Sequence, residues 1–155
     1  MSETIQLLTA TGEVLESPAR VDAPTRPPLR VGAVQHRWHP DPAEHRAALA
    51  EGVRMAAGEG AQLVCLQELT LSPYFAITAD GPAAVGAVPE ALPGGPTHEF
   101  AAAMAAETGV AVHASLYERP GSDEDAGDGG LGFNTAIVVT PDGGLAARTR
   151  KLHIP

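Results

Sequence analysis

Three side chains in this sequence could carry acid–base or nucleophilic chemistry: Glu68 closing the apolar run "LVCLQE", Lys151 in "RTRKLHIP", and the single cysteine, Cys65. In open α/β sheets functional groups gather at the carboxyl ends of strands, and Glu68 follows an apolar strand pattern. A partly desolvated carboxylate there would have a raised pKa and could act as a general base. A solvated glutamate that simply ends a strand fits the position too. Position alone reads Lys151 as part of an exposed basic edge that discourages strand-to-strand association. Cys65 lies three residues before Glu68, so strand alternation turns the two to opposite faces. Cys65 therefore reads as a small buried hydrophobe.

Other chemistry-bearing types form weaker patterns. His36, His39 and His45 span a strand end, a loop and a helix, with no zinc spacing, so solvated or capping roles fit them better. "DEDAGDGG" has the composition of a calcium loop, but Gly127 occupies a ligand position and no glutamate closes it, so it reads as a mobile loop. "LPGGP" lacks the Lys-Ser/Thr of a phosphate loop. No metal or cofactor is expected. Asn134 is read as satisfying backbone groups near a strand start. Glu118 is read as a structural ion-pair partner rather than a second base.

The elements that must position these groups are regular from Leu29 onward. "LRVGAVQ" (29–35) reads as a strand. Asp41-Pro42-Ala43-Glu44 is a helix start, with Leu49, Val53 and Ala56/Ala57 on one face and Gly58 and Gly60 as the stop. "AQLVCLQ" (61–67) is nearly all apolar, as in a parallel sheet covered on both faces. A turn-rich stretch (72–96) precedes a second helix, "THEFAAAMAAETG", with Phe100, Ala103 and Met104 as its stripe. Strands follow at 110–118 and 133–140, separated by an acidic glycine-rich loop, and a tight turn at 141–144 leads into a fifth strand. The order β-α-β-α-β-β-β predicts an α/β fold with parallel neighbours and a terminal antiparallel hairpin. Residues 1–28, with "SPARVDAPTRPP", read as an N-terminal extension and Pro-rich linker, with a small hairpin around Thr11-Gly12.

The bulk properties bound the function. At 155 residues with 44% apolar content the chain can hold a real core. A net charge of −9 argues against nucleic acid or anionic membrane as partners. One cysteine excludes an intramolecular disulfide framework. The absence of a signal-peptide pattern or an apolar span makes the cytoplasm the expected compartment.

Taken in order, "LRVGAVQ", "AQLVCLQELTLSPYF", "LPGGPTHEFAAAMAAETGVAVHASLYER", "FNTAIVVTPDGGL" and "RTRKLHIP" resemble the nitrilase superfamily of carbon–nitrogen hydrolases. "QEL...PYF", "SLYER" and "RKLHIP" look most like the branch that hydrolyses N-carbamoyl amines and N-carbamoyl β-amino acids. The resemblance implies an α-β-β-α sandwich, about half of it present, over residues 29–155. It implies that Glu68 takes a proton from a thiol and that Lys151 stabilises the oxyanion formed as the thiolate attacks an amide or carbamoyl carbonyl. A thioester then forms and is hydrolysed by a water that Glu68 activates. Tyr74, Phe75 and His153 are the candidate substrate contacts, with packing under the turn the alternative for Tyr74 and Phe75 and a structural role the alternative for His153, and the full-length form is expected to be a homo-oligomer.

The family's nucleophilic cysteine lies on a later strand than the lysine, and a second glutamate lies between them. Neither has a counterpart here, and Cys65 is upstream of both. The expectation is therefore an N-terminal half, inactive alone, with the thiol supplied beyond Pro155. The alternatives are a non-catalytic α/β binding or scaffolding module of the same fold, and an unrelated small α/β domain. The unrelated domain would place Glu68 and Lys151 far apart, whereas the enzyme needs them to converge.

Overall fold

The structure, a computed structural model, describes residues 5–10, 12, 16, 18–19, 25–75, 79–122 and 131–152. The expected hairpin at Thr11-Gly12, the core of the acidic loop and His153 fall wholly or partly outside these residues.

Five strands form one sheet in sequence order: β1 (Val31–Ala33), β2 (Leu63–Cys65), β3 (Ala111–Glu118), β4 (Phe133–Val139) and β5 (Leu145–Arg150). β1, β2 and β3 pair in parallel, whereas β3–β4 and β4–β5 are both antiparallel. Between β1 and β2 runs α1 (Pro42–Gly58). Between β2 and β3 run the short α2 (Gly81–Ala84), which the turn-rich pattern concealed, and α3 (Pro96–Thr108).

α1 starts where the capping pattern puts it. The Asp41 carboxylate accepts from the backbone N–H of Ala43 at 2.7 Å and of Glu44 at 3.1 Å, satisfying two donors that a first turn leaves orphaned. α3 ends on Gly109 at φ 71°, a left-handed conformation that glycine adopts without a Cβ penalty. Its buried stripe is Thr97, Phe100, Ala101, Met104 and Ala105. The expected Ala103 is instead exposed, one position off the stripe that the 3.6-residue period directs to the sheet.

The core lies on one side of the sheet. Leu49 and Val53 of α1 and Phe100 and Met104 of α3 pack on Val64, Leu66, Val112, Ala114, Leu116, Ile137 and Val139. The alternate residues Leu63, Cys65, His113, Ala136 and Val138 are only half-buried. The double-sided cover expected for β2 is thus absent among the described residues, and Cys65 lies on the open face rather than in the core. An apolar run satisfies either arrangement, which is why its pattern did not discriminate.

Candidate functional site

β2 ends at Cys65, and the chain leaves the sheet before Glu68, which sits in the turn that follows. Strand alternation therefore does not extend to Glu68, and the expected opposition of Cys65 and Glu68 loses its geometric basis. Leu69, next in the turn, is almost wholly buried at φ 52°, an uncommon conformation for a bulky residue that its surroundings must enforce.

Thr70 supplies that enforcement. Fully buried, it donates its N–H to Ser115 O at 2.8 Å, and its hydroxyl donates to Gln67 O at 2.9 Å and accepts from Ser115 N at 3.0 Å. Its carbonyl accepts from His45 Nε2 at 2.8 Å. Because a carbonyl can only accept, His45 carries its proton on Nε2, and Nδ1 is left to accept the N–H of His39 at 3.5 Å. Burial pushes the His45 pKa below its ordinary value; neighbouring His36, His39 and Arg46 act in the same direction, against the Thr70 bond. The three histidines, expected as solvated or capping groups, instead cluster behind the glutamate turn. The His36 and His45 ring centroids are 4.8 Å apart, the Trp38 ring lies tilted against His45 with centroids 4.2 Å apart, and Gln67 Nε2 donates to His36 Nε2 at 3.0 Å.

Glu68 and Lys151, eighty-three positions apart, meet: Lys151 Nζ forms a short charged hydrogen bond with Glu68 Oε1. Asn134 Nδ2 donates to the same oxygen at 2.7 Å. Lys151 follows β5, and its backbone N–H extends the sheet ladder by donating to Asn134 O at 2.9 Å. Burial raises the Glu68 pKa, but the hydrogen bonds from Lys151 and Asn134, the Lys151 charge and a bond from Tyr74 together outweigh it, leaving the carboxyl below its ordinary value. The expected raised pKa is thus reversed, because a cation and two neutral donors stabilise the charged form.

A cavity of about 290 Å³ opens beside the carboxylate, lined by His36, Trp38, Gln67, Glu68, Leu69, Ser72 and Tyr74. Tyr74 thus stands at the site. Phe75 does not line the cavity; it packs edge-on against Tyr117, with centroids 5.0 Å apart. A larger cleft of about 490 Å³, lined in part by Arg46, Glu90 and Arg119, shares Ser72 but contains neither Glu68 nor Lys151. Glu118 lies apart from this site in the ion-pair role read for it, bonded to Arg148 and Arg150. The sequence reading missed Asn134 as a partner of Glu68. Its Asn next to an aromatic at a strand start was visible, but its match to a residue sixty-six positions away was not.

The carbon–nitrogen hydrolase family profile matches residues 30–155. The chain belongs to this family. It is 36% identical over 104 residues to the omega-amidase NIT2 of Homo sapiens, covering 66% of this chain and 32% of that protein. It is 30% identical over 126 residues to the omega-amidase NIT2 of Xenopus tropicalis, covering 81% of this chain and 41% of that protein. The chain thus spans about a third to two fifths of these curated relatives. Among solved structures it resembles a carbon–nitrogen hydrolase from Helicobacter pylori G27, with a TM-score of 0.63 and 26% identity over 82% of this chain and 40% of that one. An amidase of the nitrilase superfamily from Nesterenkonia sp. AN1 shares the fold at 19% identity and a TM-score of 0.57, over 82% of this chain and 44% of that one. The partial α/β fold is therefore that of carbon–nitrogen hydrolases. No helix among the described residues is long and apolar enough to cross a membrane.

Proposed function

We propose that this chain is the base- and cation-bearing part of an enzyme that hydrolyses a small non-peptide amide through a thioester. The contact of Glu68 with Lys151, braced by Asn134, is the observation that carries this reading. Glu68 stays ionised at neutral pH and is ready to accept a thiol proton. While Lys151 is bonded to it, its basicity is held down. As a thiolate attacks a carbonyl, negative charge grows on the carbonyl oxygen, and Lys151 shares its protons with that oxygen. The carboxylate is then partly released, and its basicity rises at the step that needs it. As the adduct collapses to the thioester, Glu68 hands the thiol proton to the departing ammonia or amine, and the regenerated carboxylate activates the water that opens the thioester.

The thiol comes from a segment outside these 155 residues. Burial raises the Cys65 pKa, and Cys65 is not among the hydrogen-bonding partners of Glu68. The omega-amidase relatives favour a terminal amide as substrate, whereas "SLYER" and "RKLHIP" favour an N-carbamoyl amine.

The test is ammonia release from aliphatic ω-amides and N-carbamoyl amines. It is run with the 155-residue chain alone and with that chain joined to the coding sequence that follows it. Turnover is expected only from the joined form, and Glu68→Gln should reduce it by about a hundredfold or more. A thioester formed on Cys65 by the 155-residue chain during turnover would overturn the assignment.

A further inference from the structure

The proposed chemistry leaves Glu118 unused, yet among the described residues it is the one buried carboxylate, 2% exposed. It closes β3 directly opposite Phe133 of β4, on the helix-covered side of the sheet. Its carboxylate reaches across β4 to β5. Thr135 Oγ1 donates to Oε2 at 2.6 Å, Arg150 Nη2 to Oε1 at 2.7 Å, and Arg150 Nε to Oε2 at 3.1 Å. Arg148 adds a close Nη2 contact to Oε1 and an Nε contact to Oε2 at 3.3 Å. The Arg150 guanidinium also lies 3.8 Å from the centroid of the Phe133 ring.

Beyond its backbone ladder with β4 and the hairpin turn, this clamp is the side-chain anchor of β5. Leu145 to Thr149 are exposed and Arg150 is half-buried, so apolar burial does not fix β5. The β4–β5 register already shifts at Val138/Val139. A further slip of one residue would turn Lys151 to the other face, away from Glu68. Arg150 and Lys151 are adjacent, so fixing the first fixes the starting point of the second. Stability alone does not account for a buried ion-paired carboxylate, because well-packed apolar residues of similar volume are often as stabilising.

We propose that Glu118 is a positioning residue for Lys151: by gripping Arg148 and Arg150 on one face of the sheet, it sets the register at which Lys151 meets Glu68 on the other. The catalytic consequence rests on the function proposed above, but the positioning can be read without turnover.

The test follows the titration of the Glu68 carboxyl by carbon NMR in the complete protein, comparing wild type with Glu118→Gln, Glu118→Asp and Arg150→Lys. Loss of positioning loosens the Lys151 contact, so the Glu68 midpoint rises. Simple removal of the Glu118 charge takes away a repelling anion and lowers it, so the sign separates the two effects for Glu118→Gln. Glu118→Asp and Arg150→Lys keep their charges and should both raise the midpoint. Arg150→Lys, at a half-buried edge position, keeps the test open if Glu118→Gln fails to fold. Turnover should fall by up to about a hundredfold in kcat, with KM little changed. A Glu68 midpoint unchanged or lowered in the folded Glu118→Asp and Arg150→Lys variants overturns the clamp. A wild type without amidase activity would sink the proposed function, while the Glu68 midpoint would still decide the clamp.

Discussion

At the scale of the residue, the Glu68 environment makes a signed prediction. Lys151, Asn134 and Tyr74 lower its pKa, so the acid limb of kcat/KM should have its midpoint below the ordinary glutamate value of 4.5. Asn134→Leu removes one donor to the charged form, which must move that limb upward; a pH–rate profile that stays in place would show that Asn134 does not tune the base. Lys151→Met should cost about a hundred- to a thousandfold in kcat if the ammonium meets a developing oxyanion. Glu68 and Lys151 were singled out through the resemblance carried by "QEL" and "RKLHIP"; position alone left Glu68 open and read Lys151 as an exposed basic edge. The roles of Asn134, Thr70 and His45 were not legible. Each acts through a partner 25 to 66 positions away, and no local pattern encodes such a pairing.

At the scale of the element, α1 and the Glu68 turn are joined by one neutral imidazole. The His45 pKa lies below the ordinary 6.5, so the unfolded chain binds the extra proton first as pH falls. The stability from keeping His45 neutral is therefore complete above pH 6.5 and is lost as pH falls from there through the lowered folded value. Urea melts of wild type should weaken across that window, and His45→Gln should flatten the dependence there; an identical slope in the variant would exclude His45. The joint also depends on close approach of α1 to β1. A Cβ on Gly32 would lie 2.7 Å from Ala56 Cβ, which a rigid helix holds in place. Gly32→Ala should thus cost about 1–3 kcal/mol by overpacking, measured by denaturant melts. Element order and helix starts were readable because capping, glycine stops and hydrophobic period agree along this stretch. β1 and β2 are shorter than their apolar patterns, although backbone bonds from Gln62 to Arg30, Val34 to Cys65 and Leu66 to His113 continue the ladder just beyond them.

At the scale of the whole molecule, what the sequence left undecided is which sheet faces are covered. Helices α1 and α3 cover one, while Leu63, Cys65, His113, Ala136 and Val138 line the other, half-buried among the described residues. The sandwich of the family would place a second sheet there. Cys65 is a built-in reporter of that cover, because it lies on the open face and takes no part in the Glu68 contacts. Burial raises its pKa above the ordinary 9.0, so even when reachable it should alkylate more slowly than a free thiol at the same pH. In the isolated 155-residue chain, iodoacetamide should label Cys65 without denaturant. In the complete protein a covering layer should suppress that labelling by far more than the pKa alone can, and Cys65→Ser should leave turnover intact. Equal labelling rates in the two forms, followed by mass spectrometry, would mean that no second layer packs on this face, and the half-sandwich account of the molecule would have to be given up.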